Sequence, residues 1–462
     1  MSCIWQKIIP ELVIILTCGI IMAANSLQAA DFYAAKNGQM PSAPYSTWAT
    51  AAAHIQDAVD KAGTNDTVWV GAGRYTVPPN FTNYIGTNVV FIDKPLVLRS
   101  SNGVPATTII DGGGSARGAA FFYRQTTSNL FVIDGFTITN CYATNMGGGL
   151  LFNGDNLCRW TGVVINCIIT HNTVAWGTNN GSFRDTIGAR GGGIGRYNWN
   201  VLGGCGLVIT NCVIRNNTAL KGPGAADIGV GGGIYLTGYG YPVVANCLIE
   251  NNAAGDGAGI HNYMAATLYE RCVIRNNTAS AGGGGFYLSA GATLINCLVY
   301  NNAAATYGGG IYNLYAPPPS IINCTITSNT APAVYGAGIR VRFASQGAGL
   351  RVCNSIIYSN AYNADLLSDI YTNFFFTNTC IFSTNDLVAE ACDGNFTNSP
   401  RFVDFAGEDF HLAPGSPCVN AGINQDWMTN AVDLNGERRI RYGTVDVGAC
   451  EMILDSSIYR FH

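Results

Sequence analysis

The sequence predicts an all-β solenoid, a parallel β-helix, and three observations support this prediction. In residues 231–313 a glycine triplet, a cysteine and an asparagine pair recur in one order, and Cys247, Cys272 and Cys297 stand 25 residues apart, a period typical of solenoids. Each repeat contains two short apolar segments, too short for two helices but long enough for strands. Only 11% of the 462 residues are charged while 57 are glycine, which suits a sheet-rich rod.

Stacking of the coils predicts two internal ladders. Hydrogen-bonded strands lie about 4.8 Å apart, so residues at one repeat position lie above one another. We expect the ladder cysteines to be small buried hydrophobic residues, and the ladder asparagines to hydrogen bond from coil to coil. The cysteine ladder comprises Cys141, Cys167, Cys212, Cys247, Cys272, Cys297 and Cys324, and the asparagine ladder comprises Asn217, Asn252, Asn277 and Asn302.

Five further cysteines lie outside the ladder position, and these are the candidates for disulfides. They are Cys158, Cys205, Cys392, Cys418 and Cys450. Their pairing stays open, and Cys418 with Cys450 is the first pair to test.

The first thirty residues have the pattern of a signal peptide. Lys7 precedes an apolar segment at 12–24, and small residues follow at 29–30. The apolar segment is too short to cross a bilayer comfortably, so we expect an exported protein, extracellular or on the cell surface, with no transmembrane segment in the mature chain. The net charge of −4 argues against a nucleic-acid partner.

After the signal peptide the sequence predicts one solenoid with a cap at each end. In the amino cap, Trp48, Ala52, Ile55 and Val59 form one apolar helical face that ends before Gly63. A helix there would cover the open end of the core. The predicted segments are an amino cap at 31–66, irregular coils at 67–145, regular coils at 146–400 and a carboxy-terminal cap and tail at 401–462.

Three insertions lengthen the coils just before the most regular stretch. They span 173–190, 195–206 and 218–230. Insertions in a solenoid emerge as surface loops, and binding sites are often built from such loops.

Both ends of the chain resemble known proteins. The segments STWAT (46–50), HIQDAV (54–59), DTVWV (66–70) and GRY (73–75) resemble the start of exported bacterial right-handed β-helix proteins of the pectate-lyase-like group. The segments FVD (402–404), PGSP (414–417) and DVGA (446–449) resemble a terminal module of such surface proteins. The glycine and asparagine repeats are also similar to those of chlamydial polymorphic outer-membrane proteins, which are adhesins. The resemblance implies a right-handed parallel β-helix.

One repeat position predicts a binding surface. Tyr235, His261, Tyr287 and Tyr312 each follow the apolar residue after a glycine triplet, and strand alternation turns them away from the core. An outward column of rings could stack on sugars or on a partner protein. The competing interpretation is that tyrosine is a good strand residue and that stacked rings support the coils.

The charged residues of the insertions suggest a second, catalytic hypothesis. A uronate lyase needs Arg or Lys as the base and commonly Ca²⁺ held by carboxylates. The candidates are Arg184, Asp185, Arg190, Arg196, Lys221, Asp227 and Asp256, although solvated loop charges would look the same. A polygalacturonase-like hydrolase is disfavoured, because no histidine lies in the Gly-His-Gly context of that family and the coils carry no Asp-Asp pair.

The sequence therefore predicts an exported β-helix protein that binds polysaccharide or a surface partner without catalysis. The alternative is a Ca²⁺-dependent polysaccharide lyase acting through loops 173–230. Calcium is the cofactor that the alternative would require.

Overall fold

Four parallel sheets form the walls of a solenoid in the computed structural model. It describes residues 29–453 except 80, 83–84, 124–127, 155–158, 178–187, 199–205, 225–227, 290, 316, 333–335, 343–348, 362–365, 369–373 and 383–392. The coil at 268–288 runs through Leu268–Glu270, Val273–Arg275, Thr278–Ala279 and Phe286–Leu288. We number the sheets that contain these strands 1, 2, 3 and 4. The parallel β-helix predicted from the repeats is confirmed.

Sheets 1 and 2 meet at the turn that contains the ladder cysteine. The twelve strands of sheet 1 are Asp31–Ala34, Thr67–Val70, Leu96–Ser100, Ser128–Asp134, Arg159–Ile165, Gly206–Thr210, Val243–Ala245, Leu268–Glu270, Thr293–Ile295, Ser320–Ile322, Leu350–Cys353 and Phe374–Thr377. The eleven strands of sheet 2 are Gly73–Tyr75, Thr108–Asp111, Thr137–Thr139, Ile168–Thr170, Val213–Arg215, Leu248–Glu250, Val273–Arg275, Leu298–Tyr300, Thr325–Thr327, Ile356–Tyr358 and Cys380–Ile381.

Sheets 3 and 4 are joined by the turns that contain the glycine triplets. The six strands of sheet 3 are Tyr142–Thr144, Thr173–Ala175, Thr218–Ala219, Ala253–Ala254, Thr278–Ala279 and Ala303–Ala304. The ten strands of sheet 4 are Asn88–Ile92, Arg117–Tyr123, Leu150–Gly154, Ile194–Asn198, Ile234–Gly238, Ile260–Tyr263, Phe286–Leu288, Ile311–Asn313, Ile339–Val341 and Leu366–Ser368. Parts of all three sequence-predicted insertions are therefore strands.

The asparagine ladder runs along the turn between sheets 2 and 3. Asn277 shows the pattern: its Nδ2 donates to Asn302 Oδ1 at 2.9 Å and to the Ile249 carbonyl at 3.0 Å. Its Oδ1 accepts from Nδ2 and from the backbone N–H of Asn252, both at 3.0 Å. The same bonds continue from Asn172 to Asn360. Each buried amide is thus satisfied by the neighbouring coils, which keeps the coils in register.

The cysteine ladder lies at the turn between sheets 1 and 2. All seven of its cysteines are buried free thiols. The single S–H proton of Cys247 is shared between the Ala245 carbonyl at 3.1 Å and the Ile209 carbonyl at 3.6 Å. Burial raises the pKa of the Cys247 thiol well above its usual value. These thiols therefore pack as small, weakly polar core residues.

Glycine triplets fold the chain sharply between sheets 3 and 4. Gly231, first in its triplet, has φ +68°, a conformation that strongly favours glycine. A Cβ on Gly233, third in the triplet, would lie 2.6 Å from the Gly259 carbonyl oxygen and 3.1 Å from Asn252 Nδ2. A Cβ on Gly231 would lie 2.9 Å from the Tyr235 Cβ. The backbone of Gly231 therefore lies against Tyr235. Residues before each triplet therefore fold back toward sheet 4.

At the amino-terminal end, the α-helix is shorter than the sequence predicted. Helix α1 spans Ile55–Lys61, and Ile55, Ala58 and Val59 are buried in the main core. Trp48–Thr50 is instead a short 3-10 helix, and Trp48 is 42% exposed with its ring edge-on to Tyr33 at 4.7 Å. Further 3-10 helices span Pro105–Thr107 and Asp426–Thr429. No helix in the described ranges is long and apolar enough to cross a bilayer.

The carboxy-terminal module, residues 402–453, packs against the side of the solenoid. It begins with an antiparallel hairpin, Phe402–Asp404 with Asp409–Leu412. The backbone N–H of Ala449 donates to Thr325 Oγ1 in sheet 2 at 3.0 Å. Leu412 and Val447 join a cluster with Ile356 of sheet 2. The sequence predicted a cap at the end of the solenoid. The contacts with Thr325 and Ile356 instead lie on the outer face of sheet 2, where apolar residues need cover from water.

Inside this module, charged and polar contacts replace the predicted disulfide. Arg439 is completely buried; its Nη2 lies 3.1 Å from Glu451 Oε1 and donates to the Asp446 carbonyl at 3.0 Å. Cys418 and Cys450 are both free and buried, so the candidate pair is not formed. Cys158, Cys205, Cys392 and residues 1–28 of the predicted signal peptide (1–30) lie outside the described residues.

Replacing one rung of the asparagine ladder is predicted to destabilise the solenoid. Asn277→Ala removes a buried acceptor and donor, so the free energy of unfolding falls by about 3 kcal/mol. Asn276→Gly is the control: Asn276 is half-buried with φ +54°, which glycine adopts freely, and the change stays within about 0.5 kcal/mol. Urea denaturation followed by circular dichroism measures both. Equal losses in the two variants would contradict the ladder's role.

Removing the buried guanidinium is predicted to open the carboxy-terminal module locally. Arg439→Met leaves Glu451 buried without its cation, which costs about 3–5 kcal/mol. Arg438→Met is the matched control, since Arg438 is exposed. Hydrogen exchange of residues 402–453, followed by mass spectrometry, measures the local opening free energy. Unchanged protection in Arg439→Met would refute the assignment.

Candidate functional site

The candidate site is a column of side chains on the outer face of sheet 4. Tyr235 pairs in register with His261, His261 with Tyr287, and Tyr287 with Tyr312. Their strand neighbours, such as Ile234, point into the main core. The ring of His261 is stacked on that of Tyr287, with centroids 4.4 Å apart, and Tyr312 lies edge-on to Tyr287 at 5.1 Å. We call these four residues the ring column.

The ring column is buried, which corrects the expectation of an open binding surface. Tyr235, His261, Tyr287 and Tyr312 are between 3% and 9% exposed. The alternation of strand residues places these four side chains outside the main core. It does not predict whether other residues cover them. Their rings act as a supporting layer, with the stacking that the competing interpretation predicted.

Residues immediately before the glycine triplets lie beside the ring column. Isolated β-bridges join these positions along the solenoid: Arg190 with Val230, Val230 with Asp256, and Gly282 with Tyr307. Each triplet folds its preceding residue toward the outer face of sheet 4. We call this second line the turn column.

Two arginines lie over aromatic rings near opposite ends of this face. The Arg190 guanidinium lies 5.7 Å from the centroid of Tyr235, and that of Arg340 lies 4.7 Å from the centroid of Tyr307. Both distances fall within the range of cation–π attraction. Tyr307 is stacked on Tyr312 at 5.3 Å, so the cations and the rings form one continuous assembly.

A carboxylate occupies the middle of the turn column. Asp256 Oδ1 accepts a hydrogen bond from the Gly282 N–H at 2.7 Å. Burial raises the pKa of the Asp256 carboxyl to about 6, because low-dielectric surroundings disfavour the charged form. Asp256 therefore changes charge near neutral pH. A carboxyl that titrates there can exchange protons with a ligand or alter the charge of the face.

His261 stays neutral over the physiological pH range. Its burial, together with the Arg190 charge, lowers the pKa of the imidazole to about 3. Its Nδ1 has no hydrogen-bond partner. His261 therefore contributes a flat neutral ring between two tyrosines.

The structure separates two further catalytic candidates, Arg196 and Lys221, from this face. Arg196 is completely buried and donates to the carbonyls of Thr237 at 3.0 Å and Tyr239 at 2.8 Å, so its role is structural. Lys221 is exposed after the sheet 3 strand Thr218–Ala219. Of the seven candidates, Arg190 and Asp256 lie in the turn column; Arg184, Asp185 and Asp227 lie outside the described residues.

Two side chains near the ring column, Tyr315 and Arg342, were missed in the sequence. Together with Arg190, Asp256 and Tyr307 they form the accessible border of this face, which we call the rim. Tyr315 is 49% exposed, and its charge when ionised influences the pKa of Tyr287. The Arg342 guanidinium lowers the pKa of Tyr312, although burial raises that pKa overall. Arg190, Asp256 and Tyr307 share the position before a glycine triplet. Aligning that position would have found the turn column, whereas Tyr315 and Arg342 follow no repeat pattern.

No cluster of three or more His, Cys, Asp and Glu side chains within the described ranges could hold a metal ion. The described face combines aromatic rings, guanidinium groups and one titratable carboxyl. Such an arrangement suits an elongated ligand that has both ring surfaces and negative charges.

Comparisons with known proteins agree with the architecture. The crystal structure of pectate lyase Pel9A is similar, with a TM-score of 0.53 and 12% sequence identity over 93% of this chain and 98% of that chain. At this identity the likeness concerns the fold. No curated protein sequence matches the chain. The family profile described as right handed beta helix region matches residues 114–316 and 269–398. Because the matches cover more than half of the sequence, the chain belongs to the right-handed β-helix family.

Proposed function

We propose that the protein is exported and binds acidic polysaccharide, of the uronate class, along the outer face of sheet 4 without cleaving it. The observation that carries the proposal is the row of partly exposed Arg190, Tyr307 and Arg342 over the buried ring column; Arg340, 5% exposed, supports Tyr307 from beneath. Sugar rings stack on aromatic faces, and guanidinium groups bind carboxylates with directional, charge-assisted hydrogen bonds.

The rim supplies the accessible part of this surface. Arg190, Asp256, Tyr307 and Arg342 are each partly exposed, and Tyr315 is exposed. The ring column beneath them holds these groups in place, since stacked and buried rings lose little further freedom on binding. In this proposal Tyr235, His261, Tyr287 and Tyr312 support the ligand-binding surface from below.

The repeat favours a polymer over a small ligand. Equivalent positions recur at strand spacing, and the partly exposed Arg190 and Arg342 lie on well-separated coils, before the strand Ile194–Asn198 and after the strand Ile339–Val341. A long polyanion can contact both cations together, so that binding at one favours binding at the other. Localisation outside the cell would bring the protein to such polymers.

A second candidate is a polysaccharide lyase, and Arg190 is the observation that favours it. Arg190 comes from the inserted segment and lies on the same face as Asp256. A lyase would remove the proton next to a uronate carboxylate and expel the glycosidic oxygen from the adjacent carbon, which breaks the chain and leaves an unsaturated sugar. The similar structure is described as a pectate lyase, which makes this reaction the one to test. Calcium would be supplied in the assay.

Removing rim cations is predicted to weaken binding of oligogalacturonate. Arg190→Ala and Arg342→Ala should each reduce affinity about tenfold, because each deletes a charge-assisted contact. Arg438→Ala, on an exposed arginine of the carboxy-terminal module, should leave affinity unchanged. Isothermal titration calorimetry at pH 5.5 measures the dissociation constants.

The same samples distinguish binding from cleavage. Incubation with polygalacturonate and Ca²⁺, monitored for ultraviolet absorbance of unsaturated product, should show no product. Product that forms with the natural protein and disappears in Arg190→Ala would establish the lyase instead. If neither binding nor product is detected with a panel of uronate polymers, both candidates are wrong.

A further inference from the structure

We propose that Asp256 is an affinity-determining gate for anionic ligands: its ionised carboxylate opposes their binding, and its neutral carboxyl permits it. This inference rests on the proposed function, since it concerns the same face of sheet 4. It adds a pH-dependent regulation that the binding proposal does not require.

The position of Asp256 carries the inference. The turn column contains, in chain order, Met146, Arg190, Val230, Asp256, Gly282 and Tyr307. Asp256 is the acid among these six described residues, and its coil lies between those of the partly exposed Arg190 and Arg342. A polyanion that bridges the arginines must pass the carboxylate.

The fold itself does not need an acid at this point. Val230 and Gly282 occupy the same position in the adjacent coils, so an apolar residue or no side chain at all is accepted there. The Gly282 N–H needs an acceptor, which a neutral carboxyl or an amide also provides. Asp256 is therefore a local exception in a regular column, as expected of a functional residue.

The neighbouring groups leave Asp256 as the charge that changes near neutral pH. Arg190, Arg340 and Arg342 are the cations of this face. Burial raises the pKa of Tyr287 and that of Tyr312, so both phenols stay neutral. His261 is neutral above pH 4. Tyr307 and Tyr315 complete the face.

The direction of the pH effect follows from the charges. Below about pH 6 the Asp256 carboxyl is neutral, and the arginines determine the potential of the face. Above that pH the carboxylate partly cancels their charge and repels the carboxylates of a ligand. Affinity for an acidic glycan should therefore fall as pH rises from 5 to 8, by about fivefold or more.

The experiment measures binding of oligogalacturonate at pH 5, 6, 7 and 8 to the full chain and two variants. Asp256→Asn keeps an acceptor for the Gly282 N–H but cannot ionise, so its affinity should stay constant and match that of the natural protein at pH 5. Asp426→Asn, which removes an exposed carboxylate from the carboxy-terminal module, should follow the natural protein at every pH. If Asp256→Asn is poorly folded, Asp256→Gly, which copies Gly282, takes its place.

The possible failures are distinguishable. Binding by the natural protein that is constant with pH, or an undiminished decline in Asp256→Asn, would overturn the gate and leave the proposed function intact. Absence of binding by all variants at all pH values would overturn the proposed function and the gate with it. Carbon-13 NMR of the carboxyl groups gives a ligand-free readout: an Asp256 signal that does not titrate between pH 5 and 7 would overturn the gate.

Discussion

The structure depends on one constraint, the in-register stacking of parallel coils. Backbone hydrogen bonds of four sheets connect each coil to the next, and the asparagine ladder adds buried side-chain bonds at one corner. The two Nδ2 protons of Asn252 bond to Ile214 and Asn277, so a shift of one residue would break both. Because a slip would also turn apolar residues outward, register and core packing support each other.

This register determines where the candidate site lies. Residues that are far apart in sequence, such as Arg190 and Asp256, come together because they share a position relative to the glycine triplets. Positive φ at the first glycine and the lack of room for a Cβ at the third bend the chain tightly. The residue before the triplet is then held against sheet 4. The turn that closes every coil thus determines where the site lies, and the side chain at this position differs from coil to coil.

Burial makes the ring column a supporting layer and not an open binding surface. A row of rings at alternating strand positions normally suggests an exposed surface, yet Tyr235 to Tyr312 are covered. Their stacking energy, together with cation–π attraction to Arg190 and Arg340, makes this wall rigid. A rigid wall can hold Asp256 partly desolvated, and desolvation moves the pKa of its carboxyl toward neutrality. The supporting rings and the titrating group are therefore linked.

The sequence alone determined the parallel β-helix and its two ladders. A repeat imposes one local conformation many times, and each copy has the same inward and outward positions. It also identified Arg190 and Asp256 as chemically suitable, although among five other charged candidates. Only the tertiary structure decided which candidates share a surface. It buried Arg196 against backbone carbonyls, added Tyr315 and Arg342 to the rim, and placed the carboxy-terminal module on the side of sheet 2. These outcomes depend on contacts between coils and on the path of nonrepeating turns, which have no period in the sequence.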